Sequence, residues 1–299
     1  MVPRSRHRIL PDRGTLLVGA DLHGNLEDFE RLRTLLLAGQ NTHLALLGDL
    51  VHGPSPATRE FLSEPYDFDD RSFEVVEGAI ALQELHPDRV HLVLGNHDHG
   101  HVGGPRTGRF YPDEVEHLER DLTPQQRQLV HDLFAHALLL IVAPCGVVMT
   151  HGSPDDSLQD LNQLDRLSLV PQENEPADAR VLESWLQAYG QPGEVTARLL
   201  ATLSSCTGLD LSLLVHGHDK DEEGYFVEGG NQVCPVIFGA PRRNKRYLRL
   251  DLAARYRSPD DLRDGVEICR LYGVDCGCGL AERTDGAQRS PVGQDESLG

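Results

Sequence analysis

Short apolar runs alternate with helical patterns through the first third of the chain. Each run is nearly continuous in hydrophobic character, which is typical of a strand that is buried on both faces. The two longer segments between these runs carry the pattern of amphipathic helices, and Asn25 is a suitable N-cap for the first of them. This β-α-β-α-β order indicates an α/β fold with a parallel sheet. The predicted strands are 15–20, 43–47 and 89–94, and the predicted helices are 26–38 and 72–86.

The second part of the chain combines a helical insert with further strands. Pro112 begins one predicted helix, and the capping-box pair Thr123 and Gln126 begins another. Two apolar segments on either side of Pro144 are typical of a β-hairpin, and a polar, mostly helical stretch covers about 155–204. The predicted strands of this part are 138–142, 146–150, 211–215, 224–228, 232–238 and 246–252.

These patterns predict one folded domain with two flanking segments. The domain covers residues 15–280 and follows an N-terminal extension at 1–14. Residues 281–299 lack hydrophobic periodicity, so we predict a disordered tail there.

The composition is that of an acidic globular protein. The 299 residues carry a formal net charge of −19, with 39% hydrophobic and 25% charged residues. This charge repels polyanions, so binding to a nucleic-acid backbone is disfavoured as the main role. No apolar run reaches the ~18–20 residues that a membrane span needs, and the N-terminus lacks the apolar stretch of a signal peptide. We therefore expect a cytoplasmic protein with reduced, structurally inert cysteines and no membrane contact.

Five of the predicted strands end in a short cluster of Asp, His or Asn residues. In an open α/β sheet, ligands bind beyond the carboxyl ends of the strands, so these clusters are expected to converge on one edge. Glycines in each turn allow the backbone to bend sharply there. The side chains concerned are Asp21, His23, Asp49, Asn96, His97, Asp98, His151, His216 and His218.

The residue types in these clusters suit metal ions. A carboxylate can bridge two cations, and imidazole and amide oxygen are ligands for Zn, Fe, Mn or Ni. Any one of these residues alone would be an ordinary cap or core histidine, but a metal site explains all five strand ends together. His99 and His101 extend the run after His97, and we expect them to lie in a solvated loop. Cys269, Cys276 and Cys278 lack the paired spacing of a zinc site and are expected to bind no metal.

With these motifs, the chain resembles the calcineurin-like metallophosphoesterases. The resemblance is carried by five blocks in order, over residues 15–252: Asp21-Leu-His23-Gly-Asn25, Gly48-Asp49, Gly95-Asn96-His97-Asp98, Thr150-His151-Gly152 and Gly217-His218. The opening block, Gly224-Tyr225-Phe226 and the segment from Val236 to Pro241 are also similar to PPP-type protein serine/threonine phosphatases. The second and third blocks are reminiscent of bacterial diadenosine tetraphosphatases. The resemblance implies two mixed β-sheets packed face to face and flanked by helices.

The resemblance also implies roles for individual residues. Two divalent or trivalent metal ions (Mn, Fe, Zn or Ni) would share Asp49 as a bridging ligand. Asp21 and His23 would hold the first ion, and Asn96, His151 and His218 the second. His216 would be either a further metal ligand or a phosphate contact. His97 and Asp98 are the expected catalytic residues, with His97 donating a proton to the leaving group.

The second block departs from the PPP-type pattern, in which an aspartate orients the catalytic histidine and an arginine follows. His52 stands in the aspartate's place and the arginine is missing. His52 is therefore a candidate phosphate contact. Arg243, which occupies the place of a tyrosine beside the family's substrate site, is a candidate phosphate clamp; the alternative is that it belongs to a solvated basic turn.

These features predict a metal-dependent phosphomonoesterase that acts most readily on phosphoserine or phosphothreonine in proteins, or on small phosphoesters. Two metals would clamp the phosphoryl group and activate a shared, bridging hydroxide for in-line attack. A diadenosine polyphosphatase, or another nucleotide phosphohydrolase, is the alternative enzyme. A catalytically silent metal-binding scaffold is the alternative from another class.

Overall fold

The computed structural model describes residues 5–59 and 64–273. The strands are β1 (His7–Ile9), β2 (Thr15–Gly19), β3 (Thr42–Leu46), β4 (Val90–Leu92), β5 (Leu140–Ala143), β6 (Val147–Met149), β7 (Leu213–Val215), β8 (Tyr225–Glu228), β9 (Gln232–Pro235), β10 (Arg246–Asp251) and β11 (Ile268–Arg270). The helices are α1 (Leu26–Ala38), α2 (Pro56–Arg59), α3 (Ser72–Leu85), α4 (Asn96–His99), α5 (Glu114–Arg120), α6 (Pro124–Ala135), α7 (Leu161–Arg166), α8 (Pro176–Gln187) and α9 (Gly193–Thr207).

The strands form two mixed sheets, as the family resemblance implies. One sheet has the order β11-β10-β2-β3-β4, in which β2, β3 and β4 are parallel. The other has the order β1-β5-β6-β7-β9-β8, with β6, β7 and β9 parallel to one another. The hairpin predicted around Pro144 is confirmed by the antiparallel pairing of β5 and β6. Six of these strands therefore run in two parallel groups, each with its carboxyl ends at one edge.

Central strands such as β2 and β6 are apolar because their side chains are buried on both faces. Along β2, Leu16 and Val18 pack in one core cluster with residues of the other sheet, including Ile141 and Met149. Leu17 points the other way into a second cluster, which contains helical residues such as Phe29. The sheets therefore pack face to face, with helices covering their outer faces.

The helix-start signals are confirmed at atomic level. The Asn25 side chain accepts a hydrogen bond from the Asp28 amide and so caps α1. Thr123 and Gln126 form the predicted capping box at the start of α6. The helix expected from Pro112 begins slightly later, at Glu114, with Asp113 as its cap.

Two three-residue strands were not indicated by the sequence pattern. β1 pairs in parallel with β5, so the predicted N-terminal extension contributes to the six-stranded sheet. β11 pairs with β10 at the end of the five-stranded sheet. The predicted tail at 281–299 lies outside the described residues.

The cysteines differ in their bonding. Cys145, Cys206 and Cys234 are free thiols, as expected. Cys269 takes part in a disulfide bond, so the prediction of reduced thiols is wrong for this residue. The missing paired spacing of cysteines bears on a zinc site and not on disulfide pairing. Cys276 and Cys278 lie outside the described residues.

Within 5–59 and 64–273, no helix is both long enough and apolar enough to cross a membrane.

Candidate active site

Five strand ends from the two sheets meet at one edge of the molecule. β2, β3 and β4 supply polar residues from one sheet, and β6 and β7 supply histidines from the other. The strand ends were expected at the edge of one open sheet. In the structure, two sheets present their carboxyl ends to a shared cavity. The cavity has a volume of about 240 Å³ and is lined by His23, Asp49, Asn96, His97, Arg109, Gln187, Tyr189, His218 and Lys220.

Asp49 lies at the centre of this cluster. Its Oδ2 is 3.6 Å from Nε2 of His23, and its Oδ1 is 3.6 Å from Nε2 of His151. Donor atoms of His23, Asp49 and His97 lie within 4.8 Å of one another, and those of Asp49, His151 and His218 do the same. The carboxylate is therefore common to two neighbouring groups of potential metal ligands.

Hydrogen bonds to main-chain carbonyls fix the tautomers of two of these histidines. A carbonyl oxygen can only accept, so Nδ1 of His23 donates to the His52 oxygen at 3.1 Å. Nδ1 of His151 likewise donates to the Leu47 oxygen at 2.7 Å. In the neutral rings, both Nε2 atoms are then left with a lone pair directed at Asp49. This arrangement is common for metal-binding histidines.

Several hydrogen-bond acceptors converge beside Asp49. Nε2 of His151 is 2.9 Å from Oδ1 of Asn96, and Nδ1 of His218 is 3.0 Å from the same oxygen. The His151 nitrogen, the Asn96 oxygen and the Asp49 carboxylate all offer lone pairs to one small volume. Such a set is stabilised when a cation occupies the centre, so these residues fit a metal site.

The backbone at the site is strained. Among the described residues, the non-glycine residues with positive φ are Asp21, His23, Asp49, His52 and His218, with φ between 46° and 71°. This left-handed conformation is unfavourable for residues with a Cβ atom and is often found at functional sites. The turns at Gly48 and Gly95 pack directly together, and a Cβ on Gly95 would lie 2.1 Å from the Asp49 amide nitrogen.

Burial and neighbouring charges shift the pKa values of the cluster. Burial and the neighbouring Asp49 carboxylate raise the pKa of Asp21 well above its usual value. Burial would also raise the pKa of Asp49, but nearby imidazoles, those of His151 and His97 first, hold it below its usual value. Burial lowers the pKa of His23 and His151, and that of His218 to about 4. The imidazoles are therefore neutral, which is the form that binds metals.

Asp21 is held beside the cluster and outside the two donor groups. Its carboxylate accepts a hydrogen bond from the His218 amide, at 2.9 Å to Oδ2 and 3.1 Å to Oδ1. His216 is fully buried, and its Nδ1 donates to the Gly217 oxygen at 3.0 Å. The structure does not bring His216 into either donor group or into the cavity lining.

Asp98 is buried behind the cavity. Its Oδ1 accepts from the Leu50 amide at 2.9 Å, and its Oδ2 accepts from the Gly95 amide at 3.1 Å. Burial, together with Asp49, raises its pKa to about 7. These bonds join the turns after β3 and β4, so the observed contacts of Asp98 are those of a residue that holds the turns together.

The two expected phosphate contacts are not exposed to the cavity. His52 is buried, and its nitrogens face the rings of His97 and His101. The guanidinium of Arg243 is 3.7 Å from the Glu64 carboxylate, and its side chain is 74% exposed. Neither residue is among those that line the cavity within the described part of the chain.

The expectation of a solvated loop at His99 and His101 is wrong, because both side chains are buried. Nε2 of His99 donates to the Leu169 oxygen at 2.5 Å. Nδ1 of His101 is 2.7 Å from the Glu119 carboxylate. Their histidine-rich sequence looked polar, but each ring is itself buried and bonds to a partner elsewhere in the chain.

Sequence reasoning missed two cations in the cavity lining. The Arg109 guanidinium lies 5.0 Å from the centre of the Phe238 ring, and the Lys220 ammonium lies 5.7 Å from it. Partial burial, together with Arg109, lowers the pKa of Lys220 to about 8. Lys220 could have been predicted from the sequence, because it is one of only two lysines in the chain and follows His218 by two residues.

The sequence pattern that defines the calcineurin-like phosphoesterases matches residues 14–221, which is most of the chain. This chain belongs to the calcineurin-like phosphoesterase family. The matched region contains the five strand ends. Membership implies divalent metal ions, and the His and Asp groups around Asp49 could hold them.

Similar proteins within this family include named protein phosphatases. The chain is 27% identical to serine/threonine-protein phosphatase T of Trypanosoma brucei brucei, over 58% of this chain and 38% of that protein. It is 30% identical to a probable serine/threonine-protein phosphatase of Encephalitozoon cuniculi, over 58% of this chain and 40% of that protein. The chain thus spans about two fifths of the length of these relatives.

Solved structures agree with the family at the level of the fold. A protein serine/threonine phosphatase from Saccharomyces cerevisiae superimposes with a TM-score of 0.57 at 15% identity, covering 83% of this chain and 77% of that one. A cold-active protein-tyrosine phosphatase of a Shewanella species has a TM-score of 0.55 at 14% identity, over 82% and 79% of the two chains.

Proposed function

We propose that this calcineurin-like phosphoesterase is a metal-dependent phosphatase that hydrolyses phosphomonoesters. The observation that carries the proposal is the carboxylate of Asp49, whose two oxygens each lie 3.6 Å from an imidazole nitrogen, in a cavity that also contains His97. His23 and Asp49, with Asp21 beside them, would hold one ion. Asp49, Asn96, His151 and His218 would hold a second.

The chemistry of the ligands indicates which class of metal ion the site would bind. A mixed set of imidazole, carboxylate and amide ligands suits Mn, Fe, Zn or Ni. When bound, a pair of such ions activates water and offsets the negative charge of a transferring phosphoryl group. The residues of the chain then bind the substrate, orient it, and supply the proton that the leaving group needs.

His97 is the proposed proton donor. It lies in the cavity lining, and its main-chain N–H donates to Oδ1 of Asp49 at 2.8 Å. Its Nδ1 is engaged on the protein side, 3.1 Å from the Glu114 carboxylate. Nε2 is therefore the ring nitrogen that can carry a proton to the leaving oxygen.

Arg109 and Lys220 are the proposed phosphate contacts in place of Arg243 and His52. Both line the cavity and lie over the Phe238 ring, which limits their movement. A guanidinium can bind two phosphoryl oxygens at once, and an ammonium adds a compact charge. Both cations line the cavity, so both can contact a substrate anion there.

The favoured substrate class is phosphoserine or phosphothreonine in proteins or peptides. This choice is supported by the names of the similar proteins, which match over about two fifths of their own length. The comparisons do not favour the diadenosine polyphosphatase alternative. An intact donor set around Asp49 also argues against a silent scaffold.

The test is a substrate panel with the purified chain loaded with Mn²⁺, Zn²⁺ or Fe²⁺. The panel contains p-nitrophenyl phosphate, phosphoserine, phosphothreonine and phosphotyrosine peptides, and diadenosine tetraphosphate. We expect metal-dependent release of inorganic phosphate, fastest from the phosphoserine or phosphothreonine peptides. Preferential cleavage of the dinucleotide would replace the proposed substrate class, and no turnover in any metal form would remove the enzymatic proposal.

A further inference from the structure

The ring of His97 contacts a buried carboxylate, that of Glu114, which lies outside the family motif. Oε2 of Glu114 lies 3.1 Å from Nδ1 of His97, and the Glu114 side chain is fully buried. The Thr107 hydroxyl lies 3.2 Å from the same nitrogen. A buried carboxylate beside one nitrogen of an imidazole fixes which nitrogen carries the proton and how the ring is turned.

His52, which stands in the place of the orienting aspartate, has its own partners. Nδ1 of His101 donates to the Glu119 carboxylate, because a carboxylate accepts. Nε2 of His101 is then an acceptor, and it receives the Nε2 proton of His52 at 3.0 Å. In the neutral ring, Nδ1 of His52 is left with a lone pair, so it can accept a proton but cannot take over the role of a carboxylate.

The loop before α5 brings Glu114 to this place. The Glu114 amide donates to the Thr107 oxygen at 3.2 Å, and Oε1 of Glu114 accepts from the Phe110 amide at 2.8 Å. These bonds close the segment from Thr107 to Glu114 into a compact loop. One side of the loop turns Glu114 inward to His97, and the other side presents Arg109 to the cavity.

We propose that Glu114 is the positioning residue of His97 and replaces the aspartate that this chain lost at His52. The proposal deepens the proposed function and rests on the role of His97 in it. Glu114 accepts the Nδ1 proton of His97 and so turns the ring to place Nε2 at the substrate, where the doubly protonated ring donates its Nε2 proton. Thr107 supports the same nitrogen. His52 lies next to it, with its Nδ1 3.4 Å from Nδ1 of His97, and continues through His101 to Glu119.

The variant Glu114→Gln tests this assignment with almost no change in volume. Oε1 is tied to the Phe110 amide, so the glutamine oxygen is expected to stay there and its NH₂ group to face Nδ1 of His97. The NH₂ group can only donate, so it cannot accept the Nδ1 proton and no longer supports the doubly protonated ring that donates from Nε2. Glu114→Asp keeps the charge and should restore part of the activity. Glu116→Gln, an exposed residue on the same helix, is the matched control.

Kinetics on p-nitrophenyl phosphate and phenyl phosphate separate positioning from general damage. We expect Glu114→Gln to lower kcat for phenyl phosphate by about 10- to 100-fold, with KM changed less than about 2-fold. The loss should be much smaller for p-nitrophenyl phosphate, whose leaving group needs no proton. In a His97→Asn background, Glu114→Gln should add less than about 2-fold. Equal losses on both substrates, or additive losses in the double variant, would overturn the proposal.

Two measurements do not depend on turnover. In the zinc-loaded protein, ¹⁵N spectra of labelled histidine should show a proton on Nδ1 of His97, which is absent from Nδ1 in Glu114→Gln and retained in Glu116→Gln. The same protonation of Nδ1 in wild type and Glu114→Gln would overturn the positioning role even if no substrate is turned over, so this failure is distinct from failure of the proposed function.

Metal content checks an alternative use of the same atoms. Nitrogen and oxygen atoms of His52, His97 and Glu114 lie within 4.8 Å of one another and could hold a cation. We expect the same number of metal equivalents in wild type and in Glu114→Gln. Loss of one equivalent in the variant would make Glu114 a metal ligand and overturn its assignment as a positioning residue.

Discussion

The main-chain N–H of His97 donates a 2.8 Å hydrogen bond to Oδ1 of Asp49. The carboxylate proposed to bridge the metals therefore also fixes the backbone of the proposed proton donor. A change in Asp49 should disturb both the metal site and the alignment of His97, whereas a change in the His97 side chain leaves this bond intact.

We predict that Asp49→Asn lowers metal content from two equivalents to one or none, because the neutral amide is a poor bridging ligand. Activity should fall together with the metal. Elemental analysis after gel filtration measures the content, and Asp98→Asn is a useful comparison, since Asp98 contacts only main-chain amides among its observed partners. Two equivalents retained in Asp49→Asn would contradict the bridging role.

The His97→Asn variant is expected to keep its metals and lose about 10²–10⁴-fold in kcat on phenyl phosphate, the usual range for a general acid. The loss on p-nitrophenyl phosphate should be smaller. Because His97 also lies within 4.8 Å of donor atoms of His23 and Asp49, metal content has to be measured in parallel. If one equivalent disappears from this variant, His97 is a ligand and not the proton donor.

For the phosphate contacts, Arg109→Ala and Lys220→Ala should each reduce kcat/KM by about 1–3 kcal/mol in transition-state free energy, the scale of a charge-assisted hydrogen bond. Arg109→Lys should recover only part of this loss, because an ammonium lacks the planar fork. Arg243→Ala should behave as wild type, since Arg243 lies outside the cavity lining and pairs with Glu64. If steady-state kinetics instead show a lower kcat/KM for Arg243→Ala and wild-type values for the Arg109 and Lys220 variants, Arg243 is the phosphate contact.

The meeting of these polar residues at one edge could be predicted from the sequence, because each one lies within a short motif at the end of a strand. Local sequence defines the strand, and the parallel arrangement brings the strand ends together. Asp49 and His151 were therefore expected to meet although they are far apart in the chain. The structure brings their side chains to 3.6 Å.

Arg109 and Glu114 could not be identified in the same way. The segment between Gly103 and Pro112 has no hydrophobic period, and its course is set by hydrogen bonds such as the one from the Glu114 amide to Thr107. The family comparison drew attention to Arg243 and His52 by their place in a motif. Their side chains turn elsewhere because Arg243 meets Glu64 and His52 meets His101.

His91 lies away from the cavity, and it should make the free energy of unfolding depend on pH. It is 4% exposed, its Nε2 has no hydrogen-bond partner, and burial followed by the charge of His43 lowers its pKa to about 4. The unfolded chain binds a proton near its ordinary pKa of about 6.5, so the free energy of unfolding falls as pH drops from there to about 4.

Chemical unfolding at pH 7.0, 6.0, 5.0 and 4.5 measures this effect. In wild type, His91 should contribute a slope of up to about 1.4 kcal/mol per pH unit in that range. His91→Leu should show a correspondingly flatter curve, and His131→Gln, at an exposed histidine, should follow wild type. Parallel curves for wild type and His91→Leu would mean that the ring is protonated in the folded state.

The last prediction concerns the second lysine of the chain. The Lys245 ammonium pairs with Asp28, and both side chains are buried. The Tyr272 hydroxyl donates to the other oxygen of Asp28 at 2.7 Å. The contact joins the first turn of α1 to the residue just before β10.

Lys245→Met should lower the free energy of unfolding by about 3–5 kcal/mol, because it leaves the Asp28 carboxylate buried without its cation. Tyr272→Phe removes one hydrogen bond and should cost about 1–2 kcal/mol. The double variant Asp28→Asn with Lys245→Met removes both charges and should regain most of the Lys245→Met loss. Urea unfolding of the four proteins gives the comparison. A double variant no more stable than Lys245→Met would show that Asp28 is not a buried anion in need of Lys245, and that the loss comes from packing around the lysine stem.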